Sequence, residues 1–199
     1  MTYIKTDIPQ PGIVELLFYK GETGKALAAL AQTLLHGPSG LTPGERELIA
    51  AYVSMLNNCE FCYESHSASA NVHLHDEGKA IACMKTGIDT MPVSEKMKKL
   101  LAIAGKVQKN GKEVTPELID AAKKAGATDE EIHDTVLIAA AFCMYNRYVD
   151  GLATNLPAKK EDYLEMGQRM ARKGYTYPPL FLRRFVIRMM QRQKKKKNA

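Results

Sequence analysis

The stretch "LTPGERELIAAYVSMLNN" sets the tone for the whole chain. Thr42 is placed to cap a helix, Pro43 occupies its first position, and acids fill its first turn. Leu48, Ala51, Tyr52, Met55 and Leu56 then follow a period of about 3.6 residues. The same grammar recurs. "GETGKALAALAQTLLHG" is apolar at helical spacing and closes at Gly37, and "VSEKMKKLLAIAGKVQKNG" opens on Ser94 and closes at Gly111. Thr115-Pro116 opens a short helix that Gly126 stops, and Thr128 with Glu131 forms a capping box for a long one. "NNCEFCYESHSASANVHLHDEGKAIACMKTG" reads as one or two helices ending at Gly87. No period-2 alternation interrupts these segments. Short connections make neighbours antiparallel, so the fold class expected is all-α, a bundle of helix hairpins.

At 199 residues the chain can build its core without disulfide staples, and its four cysteines are too sparse for a disulfide scaffold. The net charge of +6 comes from the end of the chain. From Arg183 onward there are eight cations and no acids, and removing them leaves −2. We expect residues 1–175 to form one helical domain and residues 176–199 an amphipathic helix with a basic, solvated tail, starting after a turn at Pro178-Pro179. Its apolar residues Phe181, Phe185, Val186 and Met189 are expected to dock on another helix or subunit. No DNA-binding motif accompanies the tail, so no specific nucleic acid is expected. Neither a leader-like start nor about 18 unbroken apolar residues is present. The expectation is a cytoplasmic protein without a membrane partner, where a close cysteine pair serves catalysis or a metal more often than structure.

The chemistry concentrates in "CEFCYESH". A helix starting at Cys59 behind an Asn58 cap places Cys62 and His66 at about 300° and 340° around the axis, within an arc of roughly 60°. Thiols in a first turn meet unpaired backbone N–H groups and the positive end of the macrodipole, which favour the thiolate. His66, one turn on, can act as general base. Glu47 lies on the preceding helix, about level with His66 once the chain turns at Asn57-Asn58. A carboxylate at that seam needs a hydrogen-bond partner and can orient the base. Zinc on Cys59, Cys62, His66 and one of His73 or His75 is the rival reading. On an unbroken helix, however, His73 sits ~10 Å along the axis from His66. Cys83 and Cys143 lie in apolar runs and read as small core residues.

Glu47, eleven residues, then Cys59-x-x-Cys62-x-x-x-His66 resembles the motif of the AhpD-like, peroxidase-related branch of the carboxymuconolactone decarboxylase family. The later "ATDEEIHDTVLIAAAFCMYNRYVDGL" resembles the same branch. The resemblance covers roughly residues 10–155. It implies an AhpD-like helical fold assembled as a trimer or hexamer, and thiol-dependent reduction of a small hydroperoxide. Cys62 would be the peroxidatic thiolate, Cys59 the resolving thiol, and His66 with Glu47 the proton relay. A dithiol or protein thiol would be the reductant. No cofactor or metal is expected. Phe61 departs from the pattern, because well-studied members carry a second histidine directly before the second cysteine. Phe61 and Tyr63 can line an apolar channel or pack against a neighbouring helix. The decarboxylase chemistry of the wider family opens no thiol cycle, and retention of Cys59 and Cys62 argues against it. A helical oligomer that senses oxidants through the same thiols is a further alternative.

Overall fold

The computed structural model describes residues 2–6 and 8–197, with side chains as far as Gln193. Among the described residues all regular structure is helical: α1 (Ile13–Tyr19), α2 (Gly21–His36), α3 (Pro43–Leu56), α4 (Glu60–Leu74), α5 (Lys79–Met84), α6 (Glu95–Lys109), α7 (Pro116–Lys124), α8 (Asp129–Gly151), α9 (Lys160–Lys173) and α10 (Arg183–Lys197). The all-α expectation holds. So do the starts read from the sequence. Thr42 and Thr128 each complete a capping box, with Glu45 and Glu131, and Ser94 accepts from the Met97 N–H.

α3 is the axis of the molecule. Leu48, Ile49, Ala50, Ala51 and Val53 are all fully buried, because α2, α4, α6 and α8 surround the helix. Its largest contact is with α4, the second arm of an antiparallel hairpin. Only Asn57, Asn58 and the cap residue Cys59 join the two arms. Reversing the chain in so few residues requires positive φ, and Asn58 adopts it at 56°. This corrects the expected cap: Asn58 belongs to the turn, Cys59 is the N-cap residue, and the helix itself begins at Glu60.

A chain of side-chain amides holds the turn in place. Gln108 Nε2 of α6 donates to Asn57 Oδ1 (2.9 Å), and Asn57 Nδ2 donates to Asn146 Oδ1 of α8 (2.8 Å). Asn146 Nδ2 in turn donates to Ser54 Oγ (3.0 Å). Buried amides persist only when paired, so the chain specifies how α3, α6 and α8 meet at the point where Cys59 begins. Cys143, half-buried, lies beside it, with Asn57 Nδ2 3.7 Å from its sulfur.

Against the outer side of α4 lies α9, a helix not foreseen from the sequence. Only Tyr163, Gly167 and Met170 of its fourteen residues are buried. The two helices cross at Gly167, where a Cβ would stand 2.5 Å from Ala68 Cβ and 2.8 Å from Ser69 N. After α9 the chain runs through Tyr175 and Tyr177 to a short 3-10 turn (Leu180–Leu182) and α10. Arg183 ties that end back by donating from Nε to Phe18 O (2.9 Å) and from Nη2 to Tyr19 O (2.8 Å).

Gly167→Val therefore forces α9 away from α4. The expected cost is about 1–3 kcal/mol. Thermal unfolding followed by circular dichroism should show a lower midpoint; an unchanged one would mean that the crossing can relax freely.

Candidate active site

The hairpin brings Glu47 and His66 level, as their distances from the turn require. Glu47 has no solvent exposure. Its Oε2 lies 2.7 Å from His66 Nδ1. With the carboxylate as acceptor, Nδ1 carries the hydrogen and the Nε2 lone pair remains for a proton taken from a thiol. The His66 ring is clamped edge-on by Phe142 of α8 (centroids 4.6 Å apart) and stacks on Tyr175 (5.9 Å, 13° between planes).

Tyr175 is the partner that sequence reasoning missed. Its hydroxyl donates to Glu47 Oε1 at 2.5 Å and stands 3.3 Å from His66 Nδ1. Burial and the neighbouring Glu47 carboxylate hold this phenol well above the usual tyrosine range, so it remains a donor. A second unforeseen neighbour is His36, at the end of α2, with Nε2 3.9 Å from Glu47 Oε1. Burial lowers the pKa of His36, favouring the neutral ring. His36 packs edge-on against Tyr175 (5.6 Å) and His73 (5.9 Å). His73 thus meets His36 and Tyr175's surroundings rather than the cysteine pair.

Both thiols are free and buried. Cys62 is the third residue of α4 and keeps the first-turn position expected of it. Cys59 sits one residue outside the helix, at the N-cap. Their environments differ. Cys62 lines a cavity of about 270 Å³ together with His66 and Ser65. Cys59 lies behind it, packed with Phe61, Val149 and Tyr163. Its pKa is pushed far up, first by hydrogen bonding with Cys62, then by burial, with a smaller push from hydrogen bonding with Asp150 of α8. Cys59 is thus held protonated. Asp150 belongs to the "NRYVDG" stretch, but no spacing rule connects it with a cysteine ninety-one residues earlier.

Apart from Cys62, Ser65 and His66, the cavity wall is mostly apolar and aromatic: Ile13, Leu17, Phe18, Phe142 and Tyr145 among others. Phe61 also faces it. Its ring packs on Tyr163 (6.2 Å) and over Gly12, whose φ of 61° and missing side chain make room: a Cβ there would stand 2.2 Å from the ring. Phe61 therefore does both things the sequence allowed. Tyr63 does not join it. Tyr63 packs on the core and carries the Lys85 ammonium 4.9 Å from its ring centre.

Residues 21–86, which include all four motif residues, match the carboxymuconolactone decarboxylase family. The chain is similar to the alkylhydroperoxidase AhpD core of an uncharacterized peroxidase-related protein from Ralstonia eutropha JMP134. That likeness has 25% identity over 79% of this chain and 81% of the other, with a TM-score of 0.71. An uncharacterized peroxidase-related protein from Silicibacter sp. TM1040 shares the fold (24% identity, 77% and 78% covered, TM-score 0.70). So does a protein of unknown function from Agrobacterium tumefaciens (22%, 78% and 100%, TM-score 0.64). No curated protein matches the chain. The AhpD-like resemblance and fold are thus borne out.

Alkylation requires a thiolate. A pKa raised above its ordinary value keeps Cys59 unreactive until the pH rises further. Limited iodoacetamide treatment near pH 8 should therefore label Cys62 before Cys59 in peptide mass maps. Glu47→Gln removes the charge that stabilises a His66 imidazolium, so the pH at which Cys62 is labelled should rise. First labelling at Cys59, or an unmoved profile, would count against this geometry.

Proposed function

We propose that the chain is a thiol-dependent peroxidase that reduces organic hydroperoxides. The observation that carries this reading is the 2.7 Å pairing of buried Glu47 with His66, one helical turn from a cavity-lining Cys62. A thiol, a base and a carboxylate that orients the base are the parts that nucleophilic thiol catalysis needs.

In the proposed cycle the Cys62 thiol gives its proton to His66 Nε2. The thiolate attacks the terminal peroxide oxygen and the O–O bond breaks. Sulfur gains that oxygen as a sulfenic acid, and the departing alkoxide takes the proton from His66 to become an alcohol. Cys59 then attacks the Cys62 sulfur, a disulfide forms, and water leaves. The Asp150 carboxylate interacting with the Cys59 thiol is positioned to accept its proton. A dithiol or protein thiol restores both cysteines. Tyr175 is a positioning residue: it fixes Glu47, which fixes His66.

The apolar wall favours a peroxide with a hydrocarbon body over hydrogen peroxide. Phe61 supplies part of that wall where a second histidine would supply a proton, so the relay here runs through His66 alone. A homo-oligomer, trimer or hexamer, belongs to the same reading. Leu137 and Met144, exposed and seven residues apart, share one face of α8 and suit a contact between copies.

With dithiothreitol as donor the protein should consume cumene hydroperoxide, and Cys62→Ser should abolish turnover. Mild peroxide in the absence of donor should leave a Cys59–Cys62 disulfide, seen as the loss of two hydrogens by mass spectrometry. Activity that survives Cys62→Ser would discard the nucleophile.

A further inference from the structure

The outward face of the Leu180–Leu182 turn and of α10 does not fit a solvated tail. Phe181 is 83% exposed, Phe185 60% and Met189 43%, spaced four residues apart so that they form one line. Leu182, 40% exposed, widens it. Arg184, Arg188 and Arg192 are also exposed and form a second line, beside the first. The partly buried residues Arg183, Val186, Ile187 and Met190 occupy the opposite side, where Arg183 bonds the end of α1 and Met190 lines the cavity. Nothing within the described chain covers the phenylalanines, so of the expected docking on another helix or subunit the first does not occur at these rings.

We infer that this face is an interfacial anchor for an anionic lipid surface. An apolar stripe bordered by cations on the same face suits a helix lying in the headgroup region, where rings enter the acyl boundary and arginines reach phosphates. The charge pattern chooses the occupant. After Glu165 the sequence contains no acid, while Arg169, Arg172, Lys173, Arg183, Arg184, Arg188, Arg192 and Lys194 to Lys197 are all positive. The side chains of Lys194 to Lys197 lie outside the described residues; here they count only as charge. A second copy apposed through this face would set one block of cations against another, whereas an anionic bilayer neutralises both. Such an anchor lies on the membrane and crosses nothing, in keeping with the lack of any described helix long and apolar enough to span a bilayer.

The anchor also bears on the cavity. Met190, on the inward side of α10, lines the same cavity as Cys62 and His66, and Arg169 and Lys173 line it too. Docking through α10 therefore carries that cavity to the lipid surface, where an acyl-chain hydroperoxide is the substrate class at hand. This last step rests on the peroxidase reading; the anchor does not.

Co-sedimentation with phosphatidylcholine vesicles, with and without phosphatidylglycerol, tests the anchor. Binding is expected only to the anionic vesicles, weakening as salt is raised. Each Phe→Ser substitution at 181 or 185 should weaken it about tenfold. Each Arg→Gln substitution at 184 or 188 should weaken it about fivefold. Because the sequence has no tryptophan, Phe185→Trp provides a single fluorophore whose emission should shift to the blue on anionic vesicles only. Equal binding to neutral vesicles, no binding to either, or no blue shift would overturn the anchor. So would tighter binding to single-stranded DNA that ignores the phenylalanines, or a Phe181→Ser/Phe185→Ser variant whose only change is a smaller oligomeric mass by light scattering. For the substrate step, the same double variant should lose about tenfold in rate on vesicle-borne lipid hydroperoxide relative to cumene hydroperoxide. An unchanged ratio overturns that step, whereas absence of all peroxidase activity refutes the reading above and leaves the vesicle result standing.

Discussion

A carboxylate with no solvent exposure organises this molecule. Placing the Glu47 charge inside a helix seam costs several kcal/mol unless its oxygens are paired. The fold pairs them from two directions, His66 across the hairpin and Tyr175 from the segment after α9, while His36 at the end of α2 stands 3.9 Å from Oε1. Each partner commits a part of the chain. His66 sets the register of α4 on α3. Tyr175 obliges the polypeptide to return over the hairpin after α9, which in turn closes one wall of the cavity. The site and the fold are one arrangement seen from two sides, and the same interaction that orients the base holds the outer segment down.

The two cysteines show how a small backbone detail divides chemical labour. Because Asn57, Asn58 and the cap residue Cys59 together reverse the chain, the helix starts one residue later than a plain reading of "NNCEFC" suggests. Cys62 takes a first-turn position facing the cavity, while Cys59 is left at the cap, shut in by Phe61, Val149 and Tyr163 and beside Asp150. Two thiols three residues apart thereby differ in access, since Cys62 and not Cys59 lines the cavity. The amide chain from Gln108 to Ser54 holds the turn in the geometry that creates this difference.

What the sequence reveals and what it hides follow from range. Caps such as Thr42, Ser94 and Thr128 are local, decided within four residues, and each is found where the pattern puts it. Glu47 and His66 are nearly as legible, because a short turn lets counting from both sides, ten residues and eight, bring them roughly level. Tyr175, His36 and Asp150 are not legible, since each reaches the site from a distant segment with no periodicity linking it to the motif. Helix α9 goes unforeseen although Tyr163, Gly167 and Met170 share one face, since its key contact is a glycine, which has no side chain to signal it.

Phe61 ties the departure from the expected motif to the shape of the cavity. A histidine at that position would carry polar nitrogens into a wall otherwise built from Ile13, Leu17, Phe18 and Phe142, and each buried nitrogen would need a partner. The phenyl ring needs none, and Gly12 lets it press against the backbone while Tyr163 backs it. The exchange removes one proton-transfer group and extends a hydrocarbon surface up to Cys62. That surface agrees with an exposed helix on the cavity's border whose outer face is itself apolar and cationic. The phenyl ring between the cysteines and the stripe on α10 are far apart in sequence, yet both would suit the lipid-borne peroxide proposed above.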